Sequence, residues 1–327
     1  MILTLLIHLG CAMSVATTSP DFRAVLLAGS SGLANYRHQA DVCHSYQLLA
    51  CTLSSSSVSV LMFDDVVWTN PIVGKLFNQP NGRDVYANCE IAVRGFGVSK
   101  KNFDEILAQT ADPHATLFVS FVDHGGVGEL LFPNGESMTG LQWLATIRSL
   151  RFARLLMYVE ACFAGSVFED LPLPANVLIV TASNATESSW GTFCPTPLHP
   201  DADSINGVHI GTCLGDLFSV VWMVDLERRA RVTNQSSTLG DHIRWVQQTV
   251  SSKSSVTLYG DLSLLDLPLF SVFPSPRVVE GGEVGASLPD DARDPFISLL
   301  LDSALRTAAF LPEAAVFLPE STSLVLL

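Results

Sequence analysis

The stretch LLMYVEACFAGS, from Leu155 to Ser166, decides the fold that this sequence predicts. Its first half is almost continuously apolar, as expected of a strand that is buried on both faces of a parallel sheet. The strand then breaks into small residues around Cys162. Free cysteine usually behaves as a small buried hydrophobe, but this cysteine follows Glu160 at a strand end, in a small-residue loop. These features make Cys162 the candidate nucleophile.

A second apolar run, Thr116 to Val122, ends in the same way on Asp123, His124, Gly125 and Gly126. Open parallel sheets build their sites at the carboxyl ends of strands, so we expect the thiol and the imidazole to meet there. A thiolate that attacks an amide carbonyl needs a nearby acid for the leaving amine, and His124 would fill that role. The backbone N–H groups of Gly125 and Cys162 would bind the oxyanion.

The rest of the chain alternates strand and helix patterns, which predicts an α/β fold with a mainly parallel sheet and helices on both faces. Strands are predicted near Ala24–Ala28, Val58–Phe63, Thr116–Val122, Leu155–Glu160 and Val177–Thr181. Helices are predicted near Tyr36–Ala50, Lys101–Ala108, Leu141–Ser149, Gly215–Glu227 and Leu239–Thr249. Two long connections, 64–100 and 183–213, lack periodicity and are expected to line a substrate groove.

Five motifs follow one another along the chain: AGSSGLANYRHQADVCHSYQLL (28–49), DHGG (123–126), VEACFAGS (159–166), ESSWGTFC (187–194) and TCLGDLFSVVWM (212–223). In this order they resemble the legumain family of asparaginyl endopeptidases, and most closely its plant vacuolar processing enzymes. The resemblance covers about Arg23 to Asp261. It implies a caspase-like three-layer sandwich and a thiol protease that hydrolyses peptide bonds after asparagine, with transpeptidase or ligase activity as a further implication.

The resemblance also assigns roles to single residues. Asn35 would orient His124, and Asp123 matches an aspartate that the family links to ligase activity. The substrate pocket would be formed by Arg37, His38, Glu160, Ser189 and Asp216. One guanidinium and two carboxylates satisfy both ends of a side-chain amide, so this pocket predicts selection of asparagine. Aspartate would be accepted when acid protonates it or the pocket carboxylates.

Two simpler readings of the charged residues stay open. Each of them could form an ordinary ion pair or a solvated face, and Asp216 could instead be the favourable negative charge at a helix start.

A metal site is the alternative for His38, Asp41, Cys43 and His44, which are metal-ligand types in one short segment. Helical spacing joins only three of them and no second ligand pair follows. We therefore expect no metal and no cofactor.

Composition and the first residues bear on partners and compartment. The net charge of −14 argues against nucleic-acid binding, so the expected partners are proteins or peptides with exposed asparagine. Residues 1–16 have the apolar core and small residues of a signal peptide, although a basic start is missing. No later run is long and apolar enough for a stable membrane span. These features predict entry into the secretory pathway, towards an acidic vacuole or lysosome-like compartment or secretion.

Seven cysteines fit a compartment that permits disulfides. The resemblance implies a bridge between Cys194 and Cys213, whereas Cys43 and Cys51 are expected to be buried in the core around one helix. Of two N-x-S/T sequons, Asn234 is the better glycosylation candidate, because Asn184 lies near the expected pocket.

The sequence predicts three segments: the signal peptide 1–16, a peptidase domain 23–261, and a divergent tail 262–327 in place of the family's helical prodomain. Two alternatives to an active asparaginyl endopeptidase stay open. One is a catalytic subunit like that of the glycosylphosphatidylinositol transamidase, which shares NYRH and HGG. The other is a catalytically silent, truncated homologue.

Overall fold

The computed structural model describes residues 21–50, 53, 57–231 and 236–276. The predicted signal peptide, Asn234, and the tail beyond 276 lie outside these residues, so their predictions are untouched by the structure. Among the described residues, no helix has the length and apolar character needed to cross a membrane.

A seven-stranded sheet forms the centre of the molecule. Its strands are β1 (Phe22–Ala28), β2 (Val58–Met62), β3 (Ile91–Arg94), β4 (Thr116–Val122), β5 (Arg154–Glu160), β6 (Val177–Thr181) and β7 (Thr257–Gly260). Their order across the sheet is β7-β6-β5-β4-β1-β2-β3. Every pair is parallel except β7 with β6. The two central strands, β4 and β5, therefore end at the same edge.

Helices cover both faces of this sheet. They are α1 (Tyr36–Ala50), α2 (Lys100–Thr110), α3 (Gly140–Ser149), α4 (Leu217–Ala230) and α5 (Leu239–Val250). One core contains side chains of α1, α4 and α5, and the other contains side chains of α2 and α3. Strand β4 serves both cores because its residues alternate, with Phe118 on one side and Val119 on the other. The predicted α/β sandwich of three layers with a mainly parallel sheet is confirmed.

Shorter elements lie in the connections. Helical turns occupy Leu33–Asn35, Val66–Thr69, Gly95–Gly97, Gly165–Phe168, Leu262–Asp266 and Leu269–Val272. Antiparallel pairs join Gly125–Gly126 with Glu129–Leu131, Glu129–Leu131 with Ser137–Thr139, Gly191–Thr192 with Gly215–Asp216, and Ser204–Ile205 with Val208–His209. The helical turns after 261 pack on the core that contains side chains of α1, α4 and α5, and Phe273 is fully buried there. The boundary expected at Asp261 therefore falls inside the packed domain.

The cysteines differ in part from expectation. Cys194 is bonded to Cys213, the pair that the resemblance implies. Cys43, expected to be a buried free cysteine, is buried but bonded to Cys89. The two are 46 residues apart, and Cys89 lies in an aperiodic connection, so no local pattern pairs them. This bridge fastens the connection between β2 and β3 to α1.

Candidate active site

The candidate nucleophile and base emerge side by side from the sheet. Val122 pairs with Glu160 at the ends of β4 and β5. His124 lies two residues after Val122 and Cys162 lies two residues after Glu160, so both leave the sheet at the same level. A Cβ atom added to Gly125 would collide with the carbonyl oxygen of Cys162, which shows how closely the two strand ends approach. Cys162 is half-buried and is the only free cysteine among the described residues.

Asn35 fixes the orientation of His124. Its amide nitrogen donates to the carbonyl oxygen of Ser31 at 2.9 Å, which turns its oxygen towards His124 Nε2 at 2.8 Å. His124 therefore donates from Nε2 and keeps Nδ1 free to accept a proton. Burial, reinforced by the nearby Arg37 charge, lowers the pKa of His124 to about 4. Its imidazole is thus neutral over most of the physiological range.

Arg37 and Asp216 form the charged floor of the candidate pocket. The Arg37 Nε atom donates to Asp216 Oδ1 at 2.8 Å, and its Nη1 donates to the Ala34 carbonyl at 3.0 Å. Asp216 lies immediately before α4, but its side chain makes no capping hydrogen bond there. The carboxylate therefore serves the ion pair with Arg37 and not the start of the helix.

Glu160 supplies the second carboxylate, from the end of β5. Its Oε2 accepts from the backbone N–H and the hydroxyl of Ser219, at 2.9 and 3.0 Å. Burial, together with the charge of Asp216, raises the pKa of Glu160 to about 8. Two buried oxygens, Glu160 Oε1 and Asp216 Oδ2, accept no hydrogen bond from the described part of the chain. Since buried polar atoms are nearly always paired, these two oxygens point to a ligand.

His38 is buried beneath the pocket, between its carboxylate and the catalytic edge. Its Nδ1 lies 2.6 Å from Ser30 Oγ and 3.5 Å from Asp123 Oδ1, and its Nε2 lies 3.5 Å from Asp216 Oδ2. The His38 ring also meets the His124 ring edge-on, with centroids 5.0 Å apart. Burial and the Arg37 charge lower the pKa of His38 well below its usual value. His38 is therefore a neutral side chain that lies between the Asp216 carboxylate and the His124 imidazole.

Ser189 and Asp123 complete the predicted set. The Ser189 carbonyl and hydroxyl oxygens lie 3.8 and 4.0 Å from the Cys162 sulfur. Asp123 is buried directly against Gly29, where an added Cβ would collide with its carboxylate. Burial raises the pKa of Asp123 well above its usual range. All the predicted catalytic and pocket residues thus lie around one edge of the sheet.

The metal alternative is not favoured by this geometry. Of the segment considered in the sequence, Cys43 is in a disulfide, and Asp41 and His44 both bond to Asn78. Within the described residues, one other group has ligand-type atoms within 4.8 Å of one another: His38, Asp123 and His124. Ser30 and Asn35 already occupy nitrogens of its two histidines.

Sequence reasoning missed four residues of the site. Ser219 binds Glu160, and Asp41 and Asn78 lie beneath Asp216. Phe163, directly after Cys162, has a φ of +55°, a strained value for a bulky residue that is held by its N–H bond to the Glu187 carbonyl. Asp41 was visible in the sequence as a polar residue inside a buried helix, whereas Asn78 lies in an aperiodic connection with no local signal.

A free thiol and a neutral imidazole at the carboxyl edge of a parallel sheet, beside a buried charged pocket, are typical of enzymes with a cysteine nucleophile. Comparison with known families agrees with that class. Residues 23–275 match the model of the Peptidase C13 family. The chain belongs to this family.

Individual relatives give the same picture. The chain is 38% identical over 272 residues to the vacuolar-processing enzyme beta-isozyme of Arabidopsis thaliana, covering 76% of this chain and 55% of the relative. It is 34% identical over 268 residues to legumain of Canavalia ensiformis, covering 74% and 55%. The chain thus spans about half the length of the curated relatives it matches. The crystal structure of caspase-1 from Spodoptera frugiperda aligns with 81% of this chain and 98% of its own at a TM-score of 0.44 and 13% identity.

Proposed function

We propose that this protein is a cysteine endopeptidase that cleaves peptide bonds on the carboxyl side of asparagine. The observation that carries this proposal is the pair of unsatisfied buried oxygens, Glu160 Oε1 and Asp216 Oδ2, beside the Arg37 guanidinium. An asparagine amide has an NH₂ group for such acceptors and a carbonyl oxygen for Arg37. Lysine has no acceptor for the guanidinium, and glutamine is one methylene longer.

The catalytic steps follow from the positions of Cys162 and His124. The Nδ1 atom of His124 takes the thiol proton, and the thiolate sulfur attacks the carbonyl carbon of the asparagine. The oxyanion that forms lies near the backbone N–H groups of Gly125 and Cys162. His124 then donates its proton to the leaving amine, which leaves a thioester on Cys162. Water, activated by the same imidazole, hydrolyses the thioester and restores the thiol.

A second amine in place of water would give transpeptidation by the same steps. The amine nitrogen would attack the thioester and lose a proton to His124, and Cys162 would leave as a thiol. The buried Asp123 carboxyl, whose pKa burial raises, lies next to the base and is the candidate for biasing this choice. Hydrolysis is the default outcome, because water is in large excess over any amine.

Acid pH extends the specificity to aspartate. An ionised aspartate side chain would add a negative charge beside the Asp216 carboxylate and has no hydrogen to donate to the two unsatisfied oxygens, so the pocket disfavours it. A protonated one carries an O–H donor and a carbonyl acceptor, as asparagine does. The vacuolar-processing enzymes among its relatives support an acidic vacuole or lysosome-like compartment for this chain. In such a compartment Glu160, whose pKa is raised to about 8, keeps its proton.

Cleavage of matched peptides tests the proposal. Purified protein is given fluorogenic Ala-Ala-Asn, Ala-Ala-Gln and Ala-Ala-Lys peptides at about pH 5, with Cys162→Ala as the control. We expect turnover of the asparagine peptide alone, reduced at least about a thousandfold in the control. Folded protein without turnover of any peptide would favour the silent homologue, and equal turnover of all three would reject the asparagine pocket.

A further inference from the structure

The pocket carboxylate Asp216 is held from below through its main chain. The segment Leu214–Asp216 lies across two buried side chains. The Asp216 N–H donates to Asp41 Oδ2 at 3.0 Å, and the Leu214 carbonyl accepts from Asn78 Nδ2 at 3.2 Å. Asp41 comes from α1, whereas Asn78 comes from the long connection between β2 and β3. Two distant parts of the chain therefore meet under the pocket.

Asp41 and Asn78 also bind each other. Asn78 Nδ2 donates to Asp41 Oδ1 at 2.6 Å, and Asn78 Oδ1 pairs with His44 Nδ1 at 2.8 Å. All three side chains are at least 96% buried. Each of the two oxygens of Asp41 thus has one donor. If the carboxylate turned away, the Asp216 N–H or the Asn78 amide would be buried without an acceptor.

The backbone at Gly215 is closely packed against its neighbours. A Cβ atom added to Gly215 would lie 2.5 Å from a Val220 methyl group and 2.7 Å from Asn78 Nδ2. The backbone at Gly215 is therefore pressed against Asn78. Without the Asp41 acceptor, the Asp216 N–H would be buried and unsatisfied, and the segment would have to shift to reach water.

We propose that Asp41 is a positioning residue for the substrate pocket, which acts through the Asp216 N–H and is itself oriented by Asn78. Asp41 makes no contact with the substrate. It fixes where the Asp216 carboxylate lies relative to Arg37 and Glu160, and hence the fit of an asparagine amide. Two residues that the sequence offered as metal ligands, Asp41 and His44, thereby receive a structural role. The kinetic part of this inference rests on the proposed function.

Hydrogen exchange of the Asp216 amide tests the inference without any activity. Exchange is followed by mass spectrometry on peptides that cover 213–217, in the wild type and in Asp41→Ala. We expect the Asp216 amide to exchange at least about tenfold faster in the variant, because it loses its buried acceptor. The matched control is Asp225→Ala, which removes an equally buried carboxylate from α4 and leaves this amide bonded. Unchanged exchange in Asp41→Ala would overturn the proposal.

A swap of the two partners tests the same contact through kinetics. Asp41→Asn leaves one acceptor oxygen for two donors, the Asp216 N–H and Asn78 Nδ2, and Asn78→Asp sets two carboxyl groups against each other. We expect each single variant to raise KM for the Ala-Ala-Asn peptide about tenfold with a smaller change in kcat. The double variant restores the donor and acceptor between positions 41 and 78 but removes the donor of the Leu214 carbonyl, so its KM should recover in part and fall below that of either single variant.

The two experiments separate the possible failures. Additive effects in the double variant, with no recovery, would reject a direct Asp41–Asn78 contact as the cause. A wild type that does not cleave after asparagine would reject the proposed function, while the exchange experiment would still decide on Asp41. Recovery in the double variant also excludes a folding defect as the explanation of the single variants.

Discussion

Two clusters of charged residues, each built around buried carboxyl groups, lie near helix α4, and their charge balance is opposite. The pocket cluster consists of Asp41, Glu160 and Asp216, with Arg37 as its cation. The anchor cluster consists of Asp225 with Arg228, Arg229 and His242. Asp225 receives 2.6 Å bonds from both arginines and a 2.8 Å bond from His242. The pocket cluster has three carboxyl groups, one guanidinium and two unsatisfied oxygens.

The carboxyl groups of the two clusters have pKa shifts in opposite directions. Burial alone would raise the pKa of Asp225, but bonds from His242 and Arg229 outweigh burial and lower it. In the pocket cluster burial prevails, reinforced by neighbouring carboxylates, and the pKa values of Glu160 and Asp41 rise. Asp225 is thus satisfied by the protein, whereas the pocket cluster is left for a ligand to complete. Perturbed groups of the second kind are typical of functional sites.

Removing the only cation of the pocket cluster should have the largest effect. Arg37→Met leaves Asp216 buried without its partner and removes the donor for the substrate carbonyl. Removing one partner of a buried, hydrogen-bonded charge pair at a binding surface costs about 2–5 kcal/mol of binding free energy. We expect this loss to appear in transition-state binding, so kcat/KM for the Ala-Ala-Asn peptide should fall by about a thousandfold. A fall of less than about tenfold, in folded protein, would show that Arg37 is not the pocket cation.

The corresponding change in the anchor cluster should affect stability and not specificity. Asp225→Asn removes the charge that Arg228 and Arg229 share, so we expect a loss of about 3 kcal/mol in the free energy of unfolding. This loss is measured by urea denaturation at pH 5. The ratio of turnover for asparagine and glutamine peptides should stay at its wild-type value. A changed ratio would mean that the two clusters are coupled along α4.

The pH dependence of stability gives a smaller contrast. The pKa of Glu160 is raised from 4.5 to about 8, so the folded state holds a proton that the unfolded state releases between these values. Stability from this group is complete below pH 4.5 and is lost as the pH rises towards 8. The slope is at most about 1.4 kcal/mol per pH unit, and it amounts to about 2.5 kcal/mol between about pH 5 and pH 7. Urea denaturation should show this slope reduced in Glu160→Gln, and an unchanged slope would contradict it.

The smallest effect is expected where α4 reaches the surface. Arg83, with 53% of its side chain exposed, pairs with Glu227 at 3.2 Å. Exposed ion pairs contribute about 0–1 kcal/mol. Arg83→Gln should therefore change the free energy of unfolding by less than about 1 kcal/mol and leave peptide turnover unaltered. A larger loss would show that the Glu227 carboxylate, which also lies 3.5 Å from His44, supports the Asn78 contact.

Part of the fold and of the candidate site can be predicted from the sequence, and part cannot. The strands β4 and β5 are buried and mostly apolar, so their ends, and with them His124 and Cys162, are predictable from residue order. Edge strands β3 and β7 are not, because they are short and partly exposed. The contacts of Asn78 and Cys89 with α1 depend on how a long aperiodic connection folds back, which no local pattern encodes.

The ratio of asparagine to aspartate cleavage across pH tests the central claim most directly. Values of kcat/KM are measured for Ala-Ala-Asn and Ala-Ala-Asp peptides from about pH 4 to pH 7. A pocket that rejects a charged side chain predicts a ratio that rises about tenfold per pH unit above the aspartate pKa of about 3.9. A ratio that stays constant with pH would contradict a pocket lined by Glu160 and Asp216.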